Sequence, residues 1–144
     1  RDRDRRNRER VVMETSLLSP AAQATLARWH HAFVETRDGA ALATILADDV
    51  TFRSPFVWKP YRGKAATMHI LSTVITVFED FRYHRTFTNE TGCVLEFSAR
   101  VGDRELGGVD LIEFDADGRM IDFTVMVRPG SGLEALSREM ARKL

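Results

Sequence analysis

The sequence predicts an α+β domain in which helices cover one face of a strongly curved antiparallel sheet. Three observations predict it. Apolar residues recur at helical spacing through the first half of the folded part, and the period changes to two after about Phe81. The period-two segments are joined by short turns rich in Gly and Asp. Helices first and strands afterwards suit an antiparallel meander with helices on one side, not a parallel sheet.

At 144 residues the chain is one domain's worth, long enough to bury a core without disulfides or metals. Hydrophobic residues at 44% and charged residues at 29% set aside the disordered and membrane classes. The formal net charge of zero exerts no global pull toward nucleic acid or anionic lipid, so neither is expected as a partner. Apolar runs are too short to span a bilayer. The single cysteine, Cys93, excludes an intramolecular disulfide and argues against a stapled secreted domain. With no signal-peptide pattern present, a cytoplasmic location is expected.

Residues 1–15 read as a basic flexible arm ahead of a single domain over 16–144. The run RDRDRRNRER is either a nucleic-acid arm or a solvated tail upstream of a start at Met13. Its interspersed Asp2, Asp4 and Glu9, and its lack of aromatic rings for base stacking, favour the tail.

Ser19-Pro20 is a helix N-cap followed by proline at the first helical position. Leu26, Trp29, His30, Phe33 and Val34 then form one stripe, giving a helix to about Arg37. Asp38 caps a second, shorter helix with Leu42, Ile45 and Leu46 inward, ended by Asp48-Asp49. Val50-Thr51-Phe52 is a short strand halted at Ser54-Pro55. Pro55 to Gly63 is a loop carrying Phe56, Trp58 and Tyr61. A third helix over Lys64 to Phe78 turns Met68, Leu71, Ile75 and Phe78 to one side.

Phe81, Tyr83, Arg85 and Phe87 alternate with Arg82, His84, Thr86 and Thr88 as a strand, and Cys93 to Val101, Arg104 to Phe114 and Met120 to Arg128 are three more. The turns are Gly102-Asp103 and Asp115 to Gly118. Gly107-Gly108 suggests a bulge or sharp bend. Pro129 and Gly130 stop the last strand, and Gly132 to Leu144 is a short amphipathic helix.

A two-residue turn at Gly102-Asp103 pairs Val101 with Arg104 and sets the register. One face then carries Cys93, Leu95, Phe97, Ala99, Leu106, Gly108, Asp110, Ile112 and Phe114, continued by Ile121, Phe123, Val125 and Val127. The other carries Glu96, Ser98, Arg100, Glu105, Glu113, Asp122, Thr124 and Arg128. Asp110 is the acid on the apolar face, and an acid there must be hydrogen-bonded, paired or protonated. His30 lies on the helix stripe that covers this face. The two form either an acid–base couple, with ligand anchoring as a variant, or a hydrogen bond that merely satisfies both groups.

Trp29, Phe33, Phe52, Phe56 and Trp58 are candidate lining rings, with Tyr61, Phe97 and Phe123. For at least half of them ordinary core packing is the competing reading. Arg128 is either a clamp for a ligand carboxylate at the pocket mouth or a rim salt bridge. No phosphate loop, dinucleotide fingerprint or metal-ligand spacing is present, so no cofactor and no metal is expected. Cys93, in a strand on the apolar face, is expected to be inert.

The runs ILADDVTFRSPF, PYRGK and GVDLIEFDADGRMIDFTVMV resemble the nuclear transport factor two-like superfamily, and within it the SnoaL-like cyclases and ketosteroid isomerases. The resemblance covers roughly Pro20 to Arg128. It implies a cystatin-like, cone-shaped barrel around a deep pocket for a small apolar molecule, and a homodimer formed through the outer sheet face. In the isomerases a helix tyrosine and a protonated strand aspartic acid hold the oxyanion, and an aspartate is the base. By the resemblance these fall at His30, Asp110 and Ser54. One of three is kept, and the base is a serine. The implied activity is a cofactor-free lyase, cyclase or isomerase acting on an apolar carbonyl compound. A non-catalytic binder and a dimeric scaffold are the alternatives.

Overall fold

The computed structural model describes residues 16–144; the arm expected over residues 1–15 lies outside the described residues. Ser19 opens helix α1, Pro20–His30, as its chemistry predicts: its Oγ accepts from the Ala22 N–H at 3.1 Å, and Pro20 needs no donor. The helix does not continue in α form to Arg37. His31–Glu35 widens into a π-helical turn, closed by the Thr36 N–H on the His31 carbonyl at 2.9 Å. Arg37 then turns the chain with φ of 54°. Its guanidinium donates to the Ile75 and Phe78 carbonyls at the end of helix α2, Lys64–Val77.

Asp38 caps the next segment through Ala40 N–H, but that segment is a 3₁₀ turn, Gly39–Thr44, and Leu46 is not part of it. Strand β1, Leu46–Arg53, starts four residues before the Val50 expected from sequence. Non-local pairing is the reason. The Ile45 carbonyl accepts from Met120 N–H and Leu46 sits opposite Met120, which draws the chain into the sheet early.

Strand β2, Tyr61–Arg62, precedes α2; β3 (Glu79–Thr88), β4 (Gly92–Val101), β5 (Arg104–Phe114) and β6 (Met120–Arg128) follow it, and helix α3, Gly130–Lys143, ends the chain. The six strands lie in the order β2-β1-β6-β5-β4-β3. All neighbours are antiparallel except β1 and β6, which run parallel. The sheet is curved and unclosed, with β2 and β3 at its edges. The architecture is the α+β fold that the change of period predicts.

The β4–β5 register is unbroken from Gly92↔Glu113 to Val101↔Arg104, so the hairpin read from Gly102-Asp103 is the one formed. The apolar face follows, with Leu95, Phe97, Leu106 and Ile112 all buried. One position differs. A shift between Glu113 and Phe114 puts Met120, at 0% exposure, in the core place assigned to Ile121.

Gly107-Gly108 holds no bulge; the ladders run through it without a shift. What Gly108 permits is close approach: a Cβ there would lie 2.0 Å from the Met126 carbonyl oxygen and 3.0 Å from the Phe97 ring. The irregularities that bend the edge are in β3, between Glu79 and Arg82 and between Tyr83 and Thr86. Among the described residues no helix is long and apolar enough to cross a membrane.

Replacing Gly108 by Ala forces this backbone contact apart. The variant is expected to lose about 1–3 kcal/mol in urea unfolding, with the slope of the transition unchanged.

Candidate functional site

Helices α1, α2 and α3 and the concave sheet face enclose a cavity of about 60 Å³. Its wall is almost wholly apolar. Trp29 comes from α1, Phe33 from the π-helical turn after it, Phe52 from β1, Phe56 from the loop that follows, Tyr61 from β2 and Phe123 from β6, so six of the rings expected to line a pocket do so. Ser54 lines it as well. The far side is closed by Ile70, Leu71 and Val74 of α2 and by Leu136, Met140 and Leu144 at the end of the chain. The three C-terminal residues were not among those expected from sequence. The amphipathic pattern of the last helix marked it as packed, without saying onto what.

Asp110 is the carboxyl in this wall, 5% exposed. It stands on β5 opposite Leu95 on one side and Val125 on the other, where strand alternation turns it inward. Its Oδ2 accepts a hydrogen bond from the Tyr83 hydroxyl at 2.6 Å. That hydroxyl in turn accepts from the Trp29 indole Nε1 at 3.0 Å. Burial pushes the Asp110 carboxyl up to about 7, and the Tyr83 hydrogen bond opposes the shift without cancelling it. The Tyr83 hydroxyl is held well above its ordinary value, first by burial and then by the charge of Asp110, so it stays a neutral donor.

His30 is not in this group. Its side chain is 51% exposed, and its Nδ1 lies 3.9 Å from Glu35 Oε1. His31 makes the shorter contact with that carboxylate, 2.6 Å. The expected His30–Asp110 contact is replaced by Tyr83–Asp110. The reason is the rotation of α1: Trp29, one residue earlier and a full 100° around the helix, points at the sheet. The His30 ring is 6.1 Å from the Tyr83 ring, on its outer side. Tyr83 was legible only as one of the alternating residues of its strand, on the same side as Phe81.

Three other expected lining residues lie elsewhere. Trp58 is 98% exposed at the tip of its loop. Phe97 is buried, but behind the cavity, stacked on Phe81 with centroids 5.1 Å apart. Arg128 is exposed and opens onto the outer sheet face beside Arg82 and Arg100, because it pairs with Gly107 in the ladder. It cannot clamp a ligand at the cavity mouth.

Ser54, where the resemblance to the isomerases puts their base, accepts through its Oγ from the Phe56 and Val57 N–H groups, each at 3.3 Å. It serves as a turn cap, and an unperturbed hydroxyl is a poor proton acceptor at neutral pH. Cys93 is buried on β4, its thiol pushed up to about 12 by burial and then by Asp110. It is inert, as its place in the strand predicts. Among the described residues, no three His, Cys, Asp or Glu side chains gather as a metal site would require.

The arrangement is therefore a largely apolar chamber with one buried carboxyl, held by a directed hydrogen-bond chain. Solved structures share its architecture. A steroid delta-isomerase from Pseudomonas aeruginosa is 54% identical, with a TM-score of 0.84 over 87% of this chain and 92% of that one. A bacterial protein with a cystatin-like fold from Silicibacter pomeroyi DSS-3 is 34% identical, with a TM-score of 0.76 over 82% of this chain and 83% of that one. A nuclear transport factor two-like protein of unknown function from Mesorhizobium loti, at 18% identity, shares the fold, with a TM-score of 0.67 over 78% of this chain and 98% of that one. No curated protein matches the chain. The family model of the SnoaL-like domain matches residues 26–126, and the chain belongs to that family.

Proposed function

We propose that the chain is a small-molecule pocket protein that binds an apolar carbonyl compound with the carbonyl oxygen on Asp110, and that this carboxyl acts as a cofactor-free acid on it. The observation that carries the reading is one buried carboxyl, poised at about 7, in an otherwise apolar wall. Such a group is protonated often enough near neutral pH to donate a hydrogen bond to a carbonyl oxygen. The steroid delta-isomerase at 54% identity makes a keto steroid the first compound to try.

Two features set limits on the chemistry. Ser54 does not replace the family's carboxylate base, so any proton taken from carbon must go to Asp110 itself in its ionised form. The cavity, at about 60 Å³, is also well below the ~300–1,000 Å³ of sites for drug-sized ligands. A polycyclic ligand enters only if Leu136, Met140 and Leu144 give way. Both features favour, as a second reading, a binder in which Asp110 anchors the ligand without turning it over.

We further propose a second copy of the chain as partner on the outer sheet face. The register puts Arg82 and Arg128 in one row, Val94, Val109, Leu111 and Met126 with Glu96 and Thr124 in the middle, and Glu113 and the Arg53-paired Asp122 in the last row. A two-fold axis through the middle lays the basic end of one copy on the acidic end of the other, which a self-complementary interface needs. Sedimentation equilibrium is expected to show a dimer, and Met126→Arg a folded monomer. A wild type that sediments as a monomer at tens of micromolar dismisses the interface.

The state of Asp110 can be read without a ligand. Its carboxyl is at about 7 in the folded chain against an ordinary value of 3.8, so between these values the folded state holds the extra proton. Stability is then fully present below about pH 4, falls as pH rises to about 7, and levels off above, a loss of up to roughly 4 kcal/mol. Asp110→Asn is expected to lack this decline in unfolding curves taken from pH 4 to 8.

The function itself is tested by offering a 5-ene-3-ketosteroid and following both binding and the absorbance of the conjugated product. Turnover that Asp110→Asn abolishes while binding persists supports catalysis. Binding without turnover leaves the anchoring reading. Failure to bind this steroid or any smaller apolar ketone sinks both.

A further inference from the structure

Trp29 is completely buried and makes one directed contact with the site. An indole nitrogen has a hydrogen and no acceptor lone pair, so its bond to the Tyr83 oxygen runs one way only. The Tyr83 hydroxyl has a single hydrogen, and that hydrogen is spent on Asp110 Oδ2 at 2.6 Å. Oδ2 must therefore accept, whether the carboxyl is charged or not. In the protonated carboxyl the hydrogen then belongs on the other oxygen, Oδ1, and the carboxyl lines the cavity.

The groups around the carboxyl do not compete with this order. Across β4 stands Leu95, and diagonal to Asp110 the buried Cys93 thiol, held neutral. Across β6 stands Val125, and from α3 the cavity receives only Leu136 and Met140. From α1 comes Trp29, with His30 turned outward beyond the Tyr83 ring.

We propose that Trp29 is a specificity-determining residue: acting through Tyr83, it makes protonated Asp110 a donor of fixed direction, so the cavity takes an apolar ligand whose polar atom only accepts, such as a ketone or lactone carbonyl, and rejects one whose polar atom only donates. This rests on the reading of Asp110 as the ligand-binding group of the cavity. The selectivity arises because a donor-only ligand set against Asp110 would leave both its own N–H and the Asp110 O–H without partners at that end of the chamber.

The test uses two five-membered rings of similar size, cyclopentanone, which only accepts, and pyrrole, which only donates. Each is titrated into the full chain at pH 5.5, followed by NMR at the Val125 and Leu136 methyl groups. Wild type is expected to prefer cyclopentanone by about tenfold or more. In Trp29→Phe the Tyr83 hydroxyl is free to turn and accept from Asp110, and the preference should shrink to about twofold, mainly through a gain in pyrrole binding. Tyr83→Phe removes the same constraint while keeping the buried indole, and should give the same collapse; it decides the matter if Trp29→Phe does not fold. Equal binding of both rings by wild type, or an unchanged preference in Tyr83→Phe, overturns the inference and leaves the pocket reading standing. Binding of neither ring overturns the pocket reading, and this inference with it.

Discussion

A carboxyl group buried on the concave face of the sheet is the constraint around which the rest of this structure is arranged. Removing Asp110 from water costs several kcal/mol unless its oxygens are satisfied or its charge is given up. The fold does some of each. Tyr83 donates to one oxygen, and burial holds the group near the point where it keeps its proton. The two responses need elements far apart in sequence: α1 for Trp29, edge strand β3 for Tyr83, and central strand β5 for the acid. Apolar packing alone would let α1 slide or turn by a fraction of a residue at little cost. Two hydrogen bonds of 2.6 and 3.0 Å, one of them from a rigid indole, do not allow that.

The cavity is a consequence of the same arrangement. A short aspartate among large rings leaves the wall unfilled beside it, and the ring contacts nearby keep the rings from collapsing into the gap. Phe81 packs edge-on to Tyr83 and stacks on Phe97, while Trp29 stacks on Phe33 with centroids 4.7 Å apart. Rings locked on several sides cannot turn into free space without breaking other contacts. What closes the chamber is therefore not the sheet but α3, whose Leu136 and Met140 come from the last residues of the chain. That helix is attached at one end through Gly132, whose Cβ position is taken by Leu106, and near the other end by Lys143 on Thr76.

Much of this could be read from the residues before any coordinates. The hairpin at Gly102-Asp103 fixed the β4–β5 register, and from it the inward place of Asp110 followed by counting in twos. The partner of Asp110 could not be read the same way. Helical spacing shows that Trp29, His30 and Phe33 share a side, yet it leaves the angle of that side against the sheet open to within about a residue. His30 and Trp29 differ by that one residue, and the angle is set by hydrogen bonds formed only after folding. Tyr83 was hidden for a related reason: bulges on both sides of it break the simple alternation of β3, and a bulge leaves no mark in a strand of mixed polarity. The early start of β1 belongs to the same class, being decided by Met120, more than seventy residues away.

Ser54 shows what such a site loses and keeps when one member of a catalytic set is absent. Its hydroxyl is bound into the turn by two backbone N–H groups, so it cannot move toward a ligand without undoing the start of the loop. On the proposed reading, the chamber has Asp110 to meet an oxygen and no separate group to meet a carbon-bound proton. A single carboxyl does both jobs only in sequence, ionised to take the carbon-bound proton and protonated once it has taken it. An isomerase working this way would show a single rising step in its pH–rate profile, because only the ionised carboxyl can take the proton from carbon. A pure binder would show a single descending step, since only the protonated carboxyl offers a hydrogen to a ketone.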